Sequence, residues 1–403
     1  MGVAIDRPLV SVDDARRILA ATGAPVTRTE RIPLLQAAER VVAARITASM
    51  DVPPFARAAM DGYAVRSDDT AGATSDAPAR LRLVGRAYAG EPWTGHLEPG
   101  TAVSIATGAP VPNGADAVEM IEDTRLAGEH VILSSAVTRG RHVTPRGYDV
   151  AAGQIVLEEG VMLTAARLGA AAAFGVTEIE VYARPRVAIL PTGDEVVAPG
   201  GTLETGQIFD VNTTTLTALI DANGGEAVPH PNVGDDPAAI DRAFVSCLDS
   251  DLVLVTGGSS VGERDHVLDT IARRGHILIN GIAIKPGKPT IVGLVDHRPI
   301  FGLSGNPSSC LSNGYLFVGP LLRRLARLPA LRPERVSVRL ARTVTSPAGR
   351  HQFFTVRIEG DRAVPTFKGS GEITSLSNAD GYFEIPADCE RVEEGTEVVV
   401  TLF

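Results

Sequence analysis

The chain has 403 residues, of which 44% are hydrophobic and 21% charged, and its formal net charge is −10. This length and composition are typical of a globular protein with several domains. The acidic balance excludes a nucleic acid as the main partner, because no long basic stretch is present to meet a phosphate backbone. No apolar run of about eighteen residues occurs, so we expect no direct membrane insertion. The N-terminus lacks the pattern of a signal peptide, and we expect a cytoplasmic location.

Cysteine and histidine usage excludes two further classes of protein. The three cysteines Cys247, Cys310 and Cys389 are far apart in sequence and form no CxxC pair. A disulfide framework or a cysteine zinc site is therefore not indicated. The eight histidines show no spacing typical of a zinc site either. We expect three reduced thiols in or near hydrophobic cores.

The first half of the chain predicts helices around an all-β module. Residues 11–22 have the pattern of an amphipathic helix, with Ser11 as its N-cap. A second short helix is predicted at 34–44. Residues 50–141 change to short strands broken by glycine and proline, which is typical of an all-β module. Helical periodicity returns at 161–174.

From 184 to 325 strands alternate with helices, which predicts a doubly wound α/β domain with a mainly parallel sheet. Asp236 is the predicted N-cap of one helix, with Pro237 at its first position. A proline-rich linker and alternating strands follow, and they predict a small β-barrel or sandwich at the C-terminus. The α/β elements are predicted as strand 186–190, helix 213–222, helix 237–248, strand 251–256, helix 264–273, strands 276–284 and 290–295, and helix 307–326.

Three loops of the predicted α/β domain carry polar groups directly after strands. They span residues 191–195, 256–265 and 303–309. Ligands of open α/β sheets bind at the carboxyl ends of strands, so we expect these loops to meet at one site. The loop 256–265 contains glycines whose backbone amides can approach an anion closely. A single glycine-rich turn after a strand is also often only a turn, and the prediction rests on the three together.

Lys285 and Lys288 add two cations in the segment GIAIKPGKP, which Pro286 and Pro289 stiffen. This segment is not a Walker A loop, because its spacing is wrong and a proline replaces the Mg²⁺-binding hydroxyl. The alternative is two solvated lysines at a turn. Several acids fall on or near the same loops, where carboxylates and substrate phosphates together can hold Mg²⁺. They are Asp194, Glu195, Asp235, Asp236 and Asp265, of which Asp235 and Asp236 have helix capping as the alternative. These features predict a phosphorylated small molecule handled with Mg²⁺.

Nine strings, taken together, resemble the molybdopterin molybdenumtransferase (MoeA) family, which includes the E domain of gephyrin. They run in the family order across nearly the whole chain. The strings are PPFARAAMDGYAV, IATGAPVPNGADAV, PRGYDV, PTGDE, GQIFDVN, TGGSSVGERD, KPGKP, GLSGNPSS and GSGEITSLSNADGYFEIP. One departure lies at Ser304, where the family usually has proline.

The resemblance implies a multidomain α+β and α/β protein that forms an elongated homodimer. Its expected parts are a mixed N-terminal domain, an inserted all-β module, a MogA-like α/β molybdopterin-binding domain and a C-terminal β-barrel domain. The corresponding boundaries are 1–48 with 142–180, 49–141, 181–327 and 328–403. The active cleft is expected to use the α/β domain of one subunit and the β module of the other.

The implied reaction inserts molybdate into adenylylated molybdopterin, with Mg²⁺ assisting and AMP released. The residues that match the family's motifs as catalytic groups are Asp61, Thr107, Asp149, Glu195, Asp235 and Asp265, the last three also as metal ligands. The corresponding substrate-binding residues are Thr192, Gly193, Gly257, Gly258, Ser259, Lys285, Lys288, Ser304, Asn306, Pro307, Arg350 and Ser375.

A second function stays open at this point. Gephyrin implies that the fold can serve as a dimeric scaffold for short segments of membrane or cytoskeletal proteins. A protein partner would then bind in the groove between the α/β and C-terminal domains, with or without catalysis. The complete set of carboxylates and lysines favours the enzyme.

Overall fold

A computed structural model describes residues 8–257 and 266–403, which form two compact units. One unit contains Ile32–Ala38 and Ala44–Ile179. The other contains the described residues up to Arg31 together with Glu39–Ala43 and Glu180–Phe403. The predicted site residues Gly258, Ser259 and Asp265 lie outside the described residues.

The first unit is built around the β module predicted from the turn-rich segment 50–141. One of its central strands begins at Gly62. Glycine is required at this position because a Cβ would lie 1.8 Å from the carbonyl oxygen of Glu119 on the neighbouring strand. Ala64, Val103 and Val118 lie on three neighbouring strands of this sheet and are fully buried in one hydrophobic core. In spatial order the six strands are Ala117–Met120, Gly62–Val65, Thr101–Ile105, Ala79–Ala87, His130–Leu133 and Thr124–Ala127.

Shorter elements complete this unit and confirm one predicted helix while contradicting another. The helix predicted at 161–174 is Ala165–Ala172, and Thr164 is its N-cap. The helix predicted at 34–44 is wrong, since only a 3₁₀ turn forms at Leu34–Gln36. Glu39 then takes a left-handed conformation (φ 62°), which no α-helix continues. The other elements of this part of the chain are Thr29–Pro33, Ile46–Thr47, Arg57–Ala58, Ser67–Thr70, Ile121–Asp123, Val143–Thr144, Ile155–Leu157 and Glu178–Tyr182.

The N-terminal helix Val12–Ala20 belongs to the second unit and confirms the prediction for 11–22. Ser11 caps it by accepting a hydrogen bond from the backbone N–H of Asp14 at 3.1 Å. Val12, Ala15 and Leu19 are buried in the largest hydrophobic core of this unit. Burying one large aliphatic side chain contributes about 1.5–3 kcal/mol, which fixes the helix by its apolar face.

A six-stranded sheet forms the centre of the second unit and confirms the doubly wound α/β prediction. Its first four strands are parallel and the last two antiparallel. Leu252, Val253 and Leu254 are fully buried because helices cover both faces of the parallel part. In spatial order the strands are Glu226–Pro229, Arg186–Pro191, Leu252–Thr256, Arg298–Leu303, Ile291–Val295 and His276–Asn280.

The helices of this region follow the predicted order with shifted bounds. Asp236 caps its helix, as predicted, by accepting bonds from the N–H groups of Ala238 and Ala239. The strand predicted at 276–284 ends at Asn280 because Gly281 turns the chain with φ 88°. The helix predicted at 307–326 is interrupted by a π-helical segment. The bounds are Val211–Ala222, Pro237–Cys247, His266–Arg274, Pro307–Asn313, Gly314–Val318 (π) and Gly319–Leu325, with short strands Val196–Val197 and Ile208–Phe209.

The C-terminal region is a closed five-stranded barrel, which decides between the predicted barrel and sandwich. Phe354, Val356 and Leu340 lie in its core. The ring of strands is His351–Glu359, Arg362–Pro365, Arg335–Leu340, Glu397–Leu402 and Gly381–Ile385, which pairs back to the first. A short strand Ile284–Lys285 adds to it in parallel, so that Lys285 pairs with Gln352. Val344–Thr345, Arg391–Val392 and the short helix Thr374–Ser377 complete the region.

Candidate functional site

The described parts of the three predicted strand-end loops, of which 256–265 is described only as far as Gly257, meet at one cavity of the second unit. Its volume is about 770 Å³, which lies in the usual range of small-molecule sites. The parallel strands Arg186–Pro191, Leu252–Thr256 and Arg298–Leu303 end side by side, so their loops open at the same edge of the sheet. The predicted residues that line this cavity are Thr192, Glu195, Gly257, Ser304, Asn306 and Pro307.

Close backbone contacts at glycines shape this cavity. Gly257 has φ 96°, and a Cβ there would lie 2.2 Å from the carbonyl oxygen of Thr192. A Cβ on Gly193 would lie 2.5 Å from a carboxylate oxygen of Glu195. Glycine is therefore required for the neighbouring loops to touch and for the Glu195 carboxylate to fold back over its own turn.

Asn212 contributes to the same wall and was not among the predicted site residues. Its side-chain amide donates to the carbonyl of Gly305 at 2.9 Å, which ties the helix Val211–Ala222 to the loop 303–309. Its Oδ1 is buried and has no hydrogen-bond partner among the described residues. The string GQIFDVN carried the resemblance, but one sequence gives no way to separate Asn212 from its neighbours in that string.

The two predicted lysines lie in an adjoining cavity of about 250 Å³. Lys285, Lys288 and Arg350 line it, and it shares Pro289, Ser304 and Asn306 with the strand-end cavity. Lys285, Lys288 and Arg350 form no ion pair with any acid in the described part of the chain. Three unpaired cations around one concave surface favour an anionic ligand.

Asn313 holds the lysine loop in place, and sequence reasoning missed it. It lies fully buried at the end of the helix Pro307–Asn313. Its amide donates to the carbonyl of Gly287 at 3.0 Å and to the hydroxyl of Thr290. The Thr290 hydroxyl in turn donates to the Gly287 carbonyl at 2.9 Å. The loop between the two lysines is thus built on a buried polar network rather than being a solvated turn.

The loop 303–309 is tied to the loop that follows the barrel strand Arg362–Pro365. The Ser308 hydroxyl donates to the carbonyl of Glu372 at 2.8 Å, and the Ser308 N–H donates to the carbonyl of Ser370 at 3.1 Å. Ser304 is buried, and its hydroxyl accepts a bond from the N–H of Asn306 at 3.2 Å. The hydroxyl that replaces the family's proline therefore fixes its own loop.

Ser375 has a different environment from the other predicted substrate-binding residues. It is fully buried, and its hydroxyl accepts a bond from the N–H of Lys368 at 3.0 Å. Its carbonyl accepts a bond from the hydroxyl of Thr366 at 3.0 Å. The residue is not part of the wall of either cavity, and these bonds shape the segment that carries Lys368.

The acids of the strand-end loops differ in what they contact. Glu195 lines the cavity, whereas Asp194 accepts a bond from the backbone N–H of Asp235 at 3.1 Å. Asp235 is exposed on the loop that precedes the cap Asp236. Over residues 8–257 and 266–403, no three Asp, Glu, His or Cys side chains come close enough together to hold a metal ion by themselves.

In the other unit the structure brings together Asp61 and Thr107, which are 46 residues apart in sequence. One Asp61 carboxylate oxygen accepts bonds from the Thr107 N–H at 2.7 Å and from its hydroxyl at 2.9 Å. These two bonds lower the pKa of Asp61, the backbone bond having the larger effect. Asp61-Gly62 is thus not merely a turn, because a fixed carboxylate stands next to a strand that requires glycine.

Asp149 lies in the same unit on a separately anchored loop. Its N–H donates to the carbonyl of Val52 at 3.0 Å. Asp51 fixes the loop by accepting bonds from Arg146 at 2.5 Å and from the N–H of Ala152 at 2.8 Å. The pairing positions Asp149 and leaves its side chain exposed.

The cysteines have the environment predicted for reduced thiols. All three are free, with Cys247 and Cys310 buried. Burial raises the pKa of both buried thiols, that of Cys247 to about 11. A thiol with such a pKa is not a ready nucleophile. No helix in the described ranges is long and apolar enough to cross a membrane.

The fold and the site together define a multidomain protein with a doubly wound α/β domain, whose strand-end cavity adjoins a cavity lined by three cationic side chains. Three family models match in chain order: the MoeA N-terminal region (domain I and II) over residues 10–175, the probable molybdopterin binding domain over 188–324, and the MoeA C-terminal region (domain IV) over 337–403. The chain belongs to the MoeA family.

Relatives of established name cover nearly the whole chain. Molybdopterin molybdenumtransferase 2 of Mycobacterium tuberculosis is 36% identical over 97% of this chain and 98% of its own. Molybdopterin molybdenumtransferase of Haemophilus influenzae is 31% identical over 98% of this chain and 99% of its own. The crystal structure of the molybdopterin biosynthesis MoeA protein from Pyrococcus horikosii superposes with a TM-score of 0.84 at 37% identity, covering 98% of this chain and 99% of that one. These findings agree with the family resemblance and with the predicted fold class.

Proposed function

We propose that this protein is a molybdopterin molybdenumtransferase that inserts molybdate into adenylylated molybdopterin and releases AMP. One observation carries the proposal: the strand-end cavity with Glu195 adjoins the cavity lined by Lys285, Lys288 and Arg350. A substrate with a phosphoanhydride and a second, oxyanionic substrate both need such unpaired cations. The names of the relatives from Mycobacterium tuberculosis and Haemophilus influenzae support the same reaction.

Mg²⁺ fits the donor set of the strand-end cavity. Glu195 places a carboxylate on the wall, and the glycine at 193 leaves the space that this carboxylate needs. Mg²⁺ usually takes one or two carboxylates and otherwise binds water and substrate phosphates, so a complete protein cage is not required. When bound, Mg²⁺ would neutralise phosphate charge. We propose Glu195 as its ligand, together with the predicted acids Asp235 and Asp265.

Residues of the chain bind the other parts of the substrates. Gly257 allows backbone amides to approach the adenylate, and Thr192 and Asn306 line the same wall. Lys285, Lys288 and Arg350 bind the negative charges and hold them next to one another. Because Asn313 fixes the lysine loop, the cations need little rearrangement when the substrate binds.

The homodimer implied by the resemblance is part of this proposal, as are Asp61, Thr107 and Asp149 as catalytic groups. Sedimentation of the purified protein should give twice the monomer mass. Mixing an Asp61→Asn protein with a Glu195→Gln protein should restore part of the activity, because one of the two mixed-dimer sites then contains neither change. A monomer, or a mixture as inactive as its components, would contradict the dimeric arrangement.

The reaction itself is tested by supplying purified protein with adenylylated molybdopterin, molybdate and Mg²⁺ and measuring AMP. We expect AMP release that Glu195→Gln reduces strongly. Glu334→Gln is the matched control, since Glu334 is an exposed acid outside both cavities. AMP at the background level with wild-type protein would reject the proposal. The relatives are named as transferases, and nothing in the comparisons favours the gephyrin-like scaffold.

A further inference from the structure

The mouth of the C-terminal barrel forms a third cavity that the proposed reaction does not yet use. Its volume is about 320 Å³, and it shares Lys285 and Phe367 with the lysine cavity. Its wall comes from the barrel strand that starts at His351 and from the segment around Arg342. Barrel mouths are frequent positions of small-molecule sites, and this volume is sufficient for one ring system.

Gln352 forms part of the wall and has an unusual environment. It lies on the same face of its strand as Phe354 and Val356, which fill the barrel, so its side chain points along the barrel interior. The residue is only 1% exposed, and its Oε1 and Nε2 have no hydrogen-bond partner among the described residues. A buried amide with one free donor and one free acceptor is destabilising unless a ligand pairs with it.

The charged side chains that line the mouth are both positive. Neither Lys285 nor Arg342 forms an ion pair with an acid in the ranges that the structure describes, and no described residue of this wall is acidic. This occurs in a chain whose net charge is −10. The ligand of the mouth should therefore present an amide-like edge and carry its negative charge on the side of Lys285, which the mouth shares with the lysine cavity.

Lysine usage points to the same place. Of the 38 lysines and arginines in the chain only three are lysines, Lys285, Lys288 and Lys368. The first two line the lysine cavity, and Lys368 lines a cavity of about 220 Å³ that shares Arg342, Pro365 and Phe367 with the mouth. A chain that otherwise uses arginine has lysine only around Phe367. The compact ammonium group suits compact anionic groups that approach from several directions.

We propose that the barrel mouth binds the pterin end of the substrate, with the Gln352 amide paired to the lactam edge of the pyrimidinone ring. That edge presents an N–H and a carbonyl side by side, which is the complement of a free carboxamide. The proposal rests on the proposed function, because it assigns one part of the same substrate.

The order of the cavities matches the order of groups in adenylylated molybdopterin. The strand-end cavity adjoins the lysine cavity through Pro289 and Ser304, and the lysine cavity adjoins the mouth through Lys285 and Phe367. The substrate runs from adenosine through the phosphoanhydride and the dithiolene to the pterin. With the adenylate at the glycine loops, the dithiolene lies at the lysines and the pterin reaches the mouth.

Pterin-6-carboxylate tests this assignment, because it is fluorescent and combines the lactam edge with a negative charge. Its dissociation constant for the full-length protein is measured by fluorescence titration. Gln352→Leu and Arg342→Met should each weaken binding about tenfold or more. The first removes the proposed partner of the lactam edge, and the second removes a positive charge that attracts the carboxylate. Arg339→Met is the control, because Arg339 is an exposed arginine of the same barrel outside this cavity. It should leave binding unchanged.

Thermal melting separates a ligand role from a structural one. Gln352→Leu removes an unpaired buried amide, so its melting temperature should equal or exceed that of the wild type while binding is lost. Unchanged pterin binding in both Gln352→Leu and Arg342→Met would overturn the proposal. Loss of AMP binding instead of pterin binding would also overturn it, by assigning the mouth to adenine. If Gln352→Leu does not fold, Arg342→Met decides by the same criterion.

The AMP-release assay is scored separately from pterin binding. If the protein releases AMP and neither substitution changes pterin binding, the pterin subsite is rejected and the proposed function is kept. Pterin binding that depends on Gln352, without any AMP release, keeps the subsite and rejects the transferase.

Discussion

The two units of the chain differ in whether the charged candidate residues have a partner within the unit. In the β module, Asp61 already accepts two hydrogen bonds from Thr107, which lower the pKa of its carboxyl. In the other unit, Lys285 and Lys288 line a cavity without an ion pair to any described acid. The carboxylate has its partner within the chain, whereas the two lysines have no acidic partner among the residues that the structure describes.

This difference indicates which group needs a ligand more. A carboxylate with two bonds from a neighbour keeps its orientation whether or not substrate is present. Unpaired cations repel one another, and a bound anion relieves that repulsion. We therefore infer that the lysine cavity provides most of the binding of the negative charges, and that Asp61 acts as a preoriented group.

The largest expected effect follows from removing both lysines. Lys285→Met with Lys288→Met should lower kcat/KM for AMP release by about 10³ or more, because preorganised charges at a transferring phosphate group dominate such reactions. The fold should persist, since no ion pair with a described residue is lost. Activity is measured as AMP formed over time, and melting is measured alongside.

Arg339→Met serves as the control for this double variant, because it removes a positive charge from an exposed position on the barrel. A loss of less than about tenfold in the double lysine variant would show that the unpaired cations are incidental, and the contrast between the two units would fail.

Asp61 provides the next test, which separates charge from orientation. Asn can accept the same two bonds from Thr107 but has no negative charge, so Asp61→Asn should preserve the loop and lower kcat by about 10². Thr107→Val removes only the hydroxyl bond and keeps the backbone bond, so about tenfold is expected. Activity is measured as before, with kcat and KM determined separately. Full activity of Asp61→Asn would reduce Asp61 to a structural cap of its turn.

Much of the fold could be predicted from the sequence because local signals and tertiary packing agree there. The alternation at 184–325 and the caps Ser11 and Asp236 are examples. The helix predicted at 34–44 from the helical spacing of apolar residues does not form. Glu39 has a left-handed conformation, and Val42 is extended and forms a bridge with Val181. Composition does not reveal these conformations.

The candidate site was predictable where loops follow strands, and not where single polar residues sit inside regular elements. Asn313 looks like any polar residue of a helix, and Gln352 looks like one position of an alternating strand. Only the tertiary structure shows that one holds the lysine loop and that the other points into a barrel. The string resemblance identified Asp61 and Thr107, but their hydrogen bonds depend on how strands pair.

Asn313 tests whether the cations depend on a rigid loop. Asn313→Ala removes the amide that donates to Gly287 and Thr290, so the free energy of unfolding should fall by about 2 kcal/mol. KM should rise as well, because the lysine loop loses its anchor. Stability is measured by denaturant unfolding, with a signal that reports on the second unit.

The neighbouring variant Ser312→Ala is a matched control for Asn313→Ala. Ser312 is equally buried on the same helix but bonds only to carbonyls one turn earlier. It should cost about 1 kcal/mol or less and leave KM unchanged. Equal effects of the two variants would mean that the lysine loop keeps its shape without Asn313.

The smallest expected effect is an opposite response of the two units to pH. In the β module, burial raises the pKa of Glu119. The ion pair with Arg141 at 3.0 Å lowers this pKa again, but only in part. In the barrel, burial alone would raise the pKa of Glu384, but bonds from His351 and Arg16 outweigh it and lower the pKa. The two carboxyls therefore titrate on opposite sides of the ordinary glutamate value.

The signs of the stability changes follow from these two directions. The contribution of Glu119 is fully present below its unfolded-state pKa and is lost as pH rises through the higher folded-state pKa. The contribution of Glu384 is present above its unfolded-state pKa and is lost as pH falls through the lower folded-state pKa. Acidification from neutral pH should thus first stabilise the β module and then, at lower pH, destabilise the barrel.

Amide hydrogen exchange read by mass spectrometry measures the two units separately, after correction for the intrinsic effect of pH on exchange. Glu119→Gln should remove the response of the β-module peptides, and Glu384→Gln should remove that of the barrel peptides. Each substitution also serves as the control for the other unit. If both sets of peptides change in the same direction in the wild type, the two units do not differ in how their folds accommodate buried charge, and the contrast would be confined to Asp61 and the lysines.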